Sequence, residues 1–330
     1  DEFLVSATQT GNNGQIRPAS GIADNGDFAV AWFSWDSLGT YSQRFNAQGN
    51  SQGSLIQLAG NTSATFHTLA MARNGDFVMG RNKHSLAGIY AQRYNAQGEP
   101  QGTEFRANTD TSAEVGASNI AFAENGDFVV VWESGGWSAS GLDGDGIGLF
   151  ARRYNAQGEP QGTEFQVNSE TTFDQSAPKI AMNGAGDFVI TWESGDWSAG
   201  TNGPDGDTIG VFARRFNALG EPQGDEFQVN NSVAGGQIDP AVAMAENGDF
   251  VITWMNHGGS PSGIYARRYN AQGTPLGGEF PVSIYSHSDP AIAMAADGRF
   301  VISWGGNNPQ DGYQDVFARC YDPAGNPIVP

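Results

Sequence analysis

The residues with the clearest chemical potential are aspartates spaced two apart in glycine-rich segments. They are Asp143, Asp145, Asp205, Asp207 and, more widely spaced, Asp311 and Asp315. Carboxylates and carbonyls on so flexible a segment suit a hard cation that takes about six to eight oxygen ligands, so the pattern predicts calcium binding. Asp-Gly is also ordinary turn chemistry, and turn formation is the competing interpretation.

Tryptophans near these segments predict a ligand surface. Trp35, Trp137 and Trp197 lie outside the tryptophan positions that recur along the chain, and Asp196 precedes Trp197. An exposed tryptophan beside acidic residues is typical of sugar stacking, and covering the end of a sheet is an equally good interpretation.

Patterns that would indicate catalysis are scarce in this sequence. The four histidines (His67, His84, His257 and His287) lack zinc-ligand spacing, and no GxSxG or P-loop motif occurs. Asn119 and Lys179 are the polar residues expected at the central opening of the predicted fold. Two residues do not form an active site. The sequence therefore predicts that the protein is not an enzyme.

Charge and composition narrow the partners. The formal net charge is −20, which disfavours nucleic acid and is compatible with divalent cations. No apolar run approaches the roughly 20 residues of a membrane span, so membrane insertion is not expected. Cys320 is the only cysteine. The start at Asp1, without methionine or a signal segment, suggests a processed, secreted protein or an excised domain.

Six internal repeats predict the fold. The turn Asn-Gly-Asp-Phe or a variant recurs six times at intervals of 49 to 62 residues, and a Tyr/Phe-Asn-Ala-Gln-Gly marker or a variant runs in step with it. Each repeat reads as four short strands, a to d, with small residues favouring strand a as the innermost. We therefore predict an all-β, six-bladed β-propeller that forms a single domain over residues 1–330.

The chain ends predict how the ring closes. Glu2-Phe3-Leu4-Val5 resembles a strand d without a preceding blade, whereas the last repeat stops near Pro330 before such a strand. Residues 2–6 are therefore expected to pair with the C-terminal repeat. An open solenoid is the alternative, but it would leave this N-terminal segment unexplained.

Recurrent positions are interpreted as scaffold. Five tryptophans end strand b and are predicted to pack between blades, with Arg81 in their place in the second repeat. The arginines of strand c are expected to pair with the recurrent glutamates of strand d. Nearly all length variation is in the b–c and d–a loops, which predicts that binding occurs on the face that carries them.

The repeat pattern resembles a known group of proteins. The running pattern P-x-[IV]-A-M-A-x-x-G-D-F-V-[IV]-x-W-E-S, then D-G-D-G, G-I-Y-A-R-R-Y-N-A-Q-G and G-x-E-F-Q-V-N, is similar to repeats of large secreted calcium-binding, RTX-associated surface proteins of marine bacteria and cyanobacteria. The resemblance covers nearly the whole chain and implies an extracellular, calcium-associated, adhesive role. The RTX nonapeptide itself is missing from this sequence.

Together these observations predict a non-catalytic, extracellular cell-surface binding or adhesion module. Its variable loops would recognise a glycan or a neighbouring protein. A structural subunit that self-assembles into a filament or layer is the alternative. A propeller enzyme acting on polysaccharide or lactone ranks lowest, because no acidic or histidine cluster is expected at the inner strands.

Overall fold

The computed structural model describes residues 15–34, 39–58, 67–83, 88–135, 142–195, 203–259, 261–284, 287–307 and 314–328. These residues form strands joined by turns and loops, and none of them is helical. No helix long and apolar enough to cross a membrane occurs within these ranges.

Twenty-four strands form six groups of four, which we name a to d within each group. Strands a are β1 (Gln15–Ile22), β5 (His67–Met71), β9 (Val115–Phe122), β13 (Asp174–Met182), β17 (Gly236–Met244) and β21 (His287–Met294). Strands b are β2 (Phe28–Ser34), β6 (Phe77–Lys83), β10 (Phe128–Ser134), β14 (Phe188–Gly195), β18 (Phe250–His257) and β22 (Phe300–Asn307). Strands c are β3 (Gly39–Phe45), β7 (Gly88–Tyr94), β11 (Gly148–Tyr154), β15 (Ile209–Phe216), β19 (Gly263–Tyr269) and β23 (Gln314–Tyr321). Strands d are β4 (Ser51–Gln57), β8 (Pro100–Arg106), β12 (Phe165–Gln166), β16 (Phe227–Gln228), β20 (Phe280–Ser283) and β24 (Pro327–Ile328).

Each group is one antiparallel sheet in the order a-b-c-d. The short a–b turns keep the register, as in the pairing of Met244 with Phe250 across the Asn-Gly turn of the fifth blade. Six four-stranded antiparallel blades make the fold a six-bladed β-propeller, which confirms the predicted fold class.

The chain divides into two compact units. The first comprises Asp1–Gly141 and Phe150–Phe165, and the second comprises Leu142–Leu149 and Gln166–Pro330. In the first unit β1 contacts β5 and β5 contacts β9, and in the second β13 contacts β17 and β17 contacts β21. Successive strands a therefore lie side by side within each unit, as expected for the innermost strands of propeller blades.

The tryptophans of strands b lie in the buried core. Trp132, Trp192 and Trp254 are each 1% exposed, which confirms their predicted scaffold role. At the start of each strand b a phenylalanine stacks on the last residue of strand c, as Phe250 does on Tyr269 with ring centroids 4.9 Å apart. The blades are thus held by aromatic burial, since no disulfide is available.

The second blade replaces the tryptophan with a buried charge. Arg81 is 2% exposed, and its guanidinium forms an ion pair with Glu104 at 2.6 Å. Its Nε donates a second hydrogen bond to the same carboxylate at 2.8 Å, and its cation lies 5.8 Å from the ring centroid of Tyr90. The charge is tolerated because a paired carboxylate and an aromatic face replace its lost hydration.

The predicted pairing of strand c arginines with strand d glutamates is wrong. Most of these arginines donate instead to backbone carbonyls of a neighbouring blade. Four donate to the c–d turn of the following blade: Arg44 to Gln97, Arg93 to Gln157, Arg215 to Ala271 and Arg268 to Pro323. Four others donate to the end of the preceding strand d: Arg152 to Ala107, Arg214 to Val167, Arg267 to Val229 and Arg319 to Val282.

Three of the recurrent glutamates likewise bind backbone, whereas Glu104 pairs with Arg81 of strand b. Glu164 accepts from the Thr109 amide at 2.9 Å, Glu226 from Ser169 at 2.7 Å and Glu279 from Asn231 at 2.7 Å. Each bond joins a glutamate to the d–a loop of the preceding blade. Both charge types therefore connect blades, because backbone groups in the loops lack partners within their own sheets.

The a–b and c–d turns are nearly identical in all blades, and we call the side they form the uniform face. In the fifth blade Asp249 Oδ1 accepts from the Ala271 amide at 3.0 Å and so joins the two turns. Within a blade, the b–c and d–a loops connect the opposite ends of the strands, which we call the variable face of that blade. Strand a begins and strand b ends at the variable face.

The sixth blade takes its described fourth strand from the C-terminus. Pro327 and Ile328 pair with Tyr321 and Cys320. Pro327 occupies the position of Pro160, Pro222 and Pro275, which form single bridges to strand c in the third, fourth and fifth blades. The predicted closing segment, residues 2–6, lies outside the described residues.

Candidate functional site

Four non-glycine residues in the described chain have a left-handed backbone, and all lie at or just before strands a of the second unit. They are Phe173 (φ 69°), Ala177 (φ 52°), Asp239 (φ 52°) and Asp289 (φ 47°). Left-handed residues other than glycine are uncommon, and such strain concentrates where side chains are held for function.

Three of these residues occupy the same β-bulge position, each in a different blade. In the fifth blade the pairing jumps from Ile238–Met255 to Ala241–Thr253, so that Asp239 and Pro240 lie opposite Trp254 alone. The fourth and sixth blades have the same irregularity at Ala177 and Asp289. A following proline suits the bulge because it has no N–H to leave unpaired. The bulge re-aims the side chain at this position, and only the fifth and sixth blades place a carboxylate there.

A third carboxylate approaches from strand b of the fourth blade. Glu193 follows Trp192 on β14, and its Oε1 accepts a hydrogen bond from the Asp239 backbone amide at 2.7 Å. The bond fixes both the glutamate and the strained bulge of the next blade. We call Glu193, Asp239 and Asp289 the inner acidic cluster.

The surroundings of Asp239 favour its protonated form. Burial raises the pKa of this half-buried carboxyl group, and the negative charge of Asp289 raises it further. The positive charges of Lys179 and His257 lower the pKa and partly offset these effects. The cluster thus places a carboxyl group with a raised pKa near other carboxyl groups, an arrangement suited to general acid catalysis.

The first unit carries a related arrangement without the second acid. Glu133 occupies the position of Glu193 in the third blade, and its Oε2 accepts from the Ala117 amide at 2.9 Å. Gly116 leaves room for this carboxylate, since an added Cβ would meet Glu133 Oε2. Asn119 and Lys179, which were predicted to lie near the inner opening, are on β9 and β13, respectively.

Four of the predicted calcium aspartates accept hydrogen bonds from groups of their own blade. Asp143 Oδ2 and Asp205 Oδ2 each accept from a buried asparagine, Asn168 or Asn230, at 3.2 Å. Asp205 Oδ1 also accepts from the Asp207 amide at 3.1 Å, as in an aspartate turn. Burial raises the pKa of both Asp143 and Asp205.

Asp145 and Asp207 also accept hydrogen bonds from backbone amides of the loops. Asp145 Oδ1 accepts from the Gly146 amide at 3.0 Å, and Asp207 Oδ2 accepts from the Gly235 amide at 2.8 Å. The described chain contains no group of three His, Cys, Asp or Glu side chains able to hold a metal ion. Calcium binding stays a prediction.

Several predicted ligand residues cannot be placed. Trp35, Trp137, Asp196, Trp197 and Asp311 lie outside the described residues. Asp315 is described, is exposed and pairs with Gly306 on β22.

Comparison with known proteins supplies fold relatives only. No family model and no curated protein matches the sequence. Among solved structures, the α-L-arabinofuranosidase of Fusarium graminearum superimposes with a TM-score of 0.59 at 11% identity, covering 94% of each chain. The α-L-arabinanase of Penicillium chrysogenum, complexed with arabinobiose, gives 0.59 at 13% identity over 92% of each chain. Hydrazine synthase of Kuenenia stuttgartiensis gives 0.57 at 9% identity over 92% of this chain and 83% of its own.

These comparisons contradict the prediction of a non-catalytic adhesion module that is not an enzyme. The similar structures with near-complete coverage include two glycoside hydrolases, the arabinofuranosidase and the arabinanase. Glu193, Asp239 and Asp289, which the sequence analysis did not single out, lie close to one another in the second unit.

Sequence reasoning missed these residues because it searched the loops. Asp239-Pro240 and Asp289-Pro290 occupy a repeat position that is Ala177-Pro178 in the fourth blade. A carboxylate that replaces alanine inside an otherwise recurrent frame is a readable signal. The contact with Glu193 crosses from one blade to the next, so sequence spacing did not reveal it.

Proposed function

We propose that this protein is a glycoside hydrolase that cleaves a polysaccharide at the inner acidic cluster. The observation that carries the proposal is the strained, half-buried Asp239, whose pKa is raised beside Glu193 and Asp289. Glycoside hydrolysis commonly uses one protonated carboxyl group and one carboxylate. The arabinan-cleaving enzymes with the same fold support this reaction class and make arabinan the first substrate to test.

Asp239 is assigned as the general acid that protonates the leaving glycosidic oxygen. Its partial burial keeps the proton available at a pH where an exposed aspartate is ionised. Glu193 is assigned as the second carboxylate, acting on water or on the anomeric carbon, and its bond to the Asp239 amide fixes its position. Asp289 and Lys179 tune the pKa of Asp239 in opposite directions.

The direct test is hydrolysis of arabinan and of a panel of other polysaccharides, measured by the release of reducing ends. Replacement of the general acid in Asp239→Asn should lower kcat by about 100- to 10,000-fold on the best substrate. Asparagine tolerates the left-handed conformation at this position, so the bulge should persist. Glu193→Gln should cause a loss of similar size.

The matched control is Glu133→Gln, which alters the corresponding glutamate of the third blade beside alanine instead of aspartate. This variant should keep wild-type activity. Failure of the wild type to cleave any polysaccharide, or full activity of Asp239→Asn, would refute the proposal.

The pH dependence gives a second test with a definite sign. The alkaline limb of kcat/KM should follow the raised pKa of Asp239, because the acid must be protonated. Asp289→Asn removes a negative charge and should move this limb to lower pH. Lys179→Met removes a positive charge and should move it to higher pH. Shifts in the same direction for both variants would contradict the assignment.

We propose further that the protein acts outside the cell, where polysaccharide polymers occur. The proposal is supported by the acidic, nearly cysteine-free composition and by the resemblance to secreted surface proteins. Detection of the protein in culture supernatant tests this location.

A further inference from the structure

Phe173 has an unusual backbone for a bulky residue. It lies in the d–a loop of the third blade, directly before β13, with φ 69°. The corresponding position in the fourth blade is Gly235, with φ 79°. Glycine adopts this conformation without steric cost, whereas a phenylalanine there is an outlier. The third blade therefore keeps an aromatic ring where the fold alone would favour glycine.

The same hydrogen bonds hold both loops in this conformation. Gln175 Nε2 donates to the carbonyls of Thr172 and Phe173 at 3.0 and 2.7 Å. Gln237 Nε2 donates to those of Ala234 and Gly235 at 3.3 and 2.9 Å. The loop geometry is thus imposed by the scaffold and does not depend on the phenylalanine.

Further bonds make the Phe173 loop rigid. Asn168 Nδ2 donates to Gln175 Oε1 at 2.8 Å, and both side chains are almost fully buried. Thr172 donates its amide to Glu170 Oε1 at 2.9 Å, and the Glu170 amide donates to Glu226 of the next blade at 3.2 Å. A half-buried aromatic ring on such a loop is pre-organised, so little conformational entropy is lost when a ligand covers it.

Phe173 lies on the loop that leads into the strand next to Asp239. It is four positions before Ala177, which occupies the bulge position that Asp239 has in the neighbouring blade. Four residues span at most about 14 Å, a distance that a short oligosaccharide covers. β13 also contacts β17, the strand that carries Asp239.

We propose that Phe173 forms an aromatic subsite that stacks on the apolar face of a sugar ring of the polysaccharide, remote from the bond that is cleaved. This inference rests on the proposed function. A remote subsite makes a specific prediction, since it contributes to the binding of polymer more than to that of a disaccharide.

The test compares arabinan with arabinobiose in wild type, Phe173→Asn and Phe173→Trp. Asparagine keeps the left-handed backbone without the ring, and tryptophan keeps an aromatic ring. Phe173→Asn should weaken arabinan binding, measured by calorimetry, by about tenfold. It should also lower the ratio of kcat/KM on arabinan to that on arabinobiose. Phe173→Trp should keep both the arabinan affinity and this ratio near the wild-type values. Val233→Asn, at an exposed position of the corresponding fourth-blade loop, is the control and should change neither.

The outcomes separate the two proposals. If the wild type binds and cleaves arabinan but Phe173→Asn does so equally well, the subsite is refuted and the hydrolase proposal stands. If the wild type binds arabinan without cleaving it, weaker binding by Phe173→Asn supports the subsite although the catalytic proposal fails. If the wild type does not bind arabinan, the inference is overturned, and the ring has another role such as a protein contact.

Discussion

Asp239 places function and stability in opposition at one residue. Its pKa is raised in the folded protein, chiefly by burial, so folding favours the protonated form. Its favourable contribution to stability is therefore fully present below the pKa of an unfolded aspartate and is lost as pH rises through the raised value. The burial that raises the pKa of Asp239, and that would suit it to the proposed role of general acid, therefore makes the fold less stable near neutral pH.

Asp239→Asn should accordingly raise the melting temperature at neutral pH, because a neutral amide avoids the unfavourable ionisation. The gain should disappear as pH falls below the normal range of aspartate. Thermal unfolding of wild type and variant across pH 3 to 8 measures both trends. A variant less stable than wild type at neutral pH would show that Asp239 is ionised at little cost in the fold.

Arg81 shows how one substitution changes the requirements on its neighbours. The buried guanidinium depends on Glu104, which is 20% exposed. We expect Glu104→Gln to lower the free energy of unfolding by about 3 kcal/mol, since it leaves a buried charge without its counterion.

Urea unfolding measures the effect of Glu104→Gln, with Glu124→Gln at an exposed turn as the control. The control should stay within about 0.5 kcal/mol of wild type. Adding Arg81→Trp to Glu104→Gln should recover stability, because the other five blades carry tryptophan there. No recovery would mean that the second blade has repacked around the arginine.

The d–a loops are the elements that convert a uniform scaffold into a specific surface. Asn230, 2% exposed, accepts from the Val211 amide at 2.9 Å and donates to the Ser232 carbonyl and to Gln237 Oε1. Asn108 and Asn168 accept from strand c in the same way. One buried asparagine thus ties the strand d end, the loop and strand c together in three blades.

Asn230→Ala should lower the free energy of unfolding by about 2 kcal/mol, because the Val211 amide and the Gln237 side chain lose a buried partner. Chemical denaturation measures this loss. Val233→Ala in the same loop should have an effect within about 0.5 kcal/mol. Equal effects would indicate that water replaces the asparagine.

At the scale of the whole molecule, the net charge of −20 opposes compaction. Raising the NaCl concentration from about 0.01 M to 0.5 M shortens the screening length and should raise the melting temperature at pH 7. At pH 4.3, near the sequence pI, the same salt change should have little effect. An equal response at both pH values would assign the effect to general salt action instead of charge screening.

The fold was predictable from the sequence because its determinants repeat. Each blade has a tight turn after strand a and a phenylalanine at the start of strand b, and these positions recur at blade intervals. The candidate site was not predictable in the same way. Asp239 matters because it breaks the pattern, and its partners Glu193 and Asp289 come from adjacent blades. Similarly, the strand c arginines were assigned to the wrong partners because backbone carbonyls leave no trace in a sequence.

In four of the arginine bonds between blades, the donor is synthesised before its acceptor. Arg44, Arg93, Arg215 and Arg268 each donate to a carbonyl that lies 53 to 64 residues further along the chain. At translation rates of about 5 to 20 residues per second, each guanidinium is synthesised roughly 3 to 13 s before its acceptor. A nascent blade is therefore completed only by its successor, and ribosome pausing within a repeat would prolong the exposure of an unfinished blade edge.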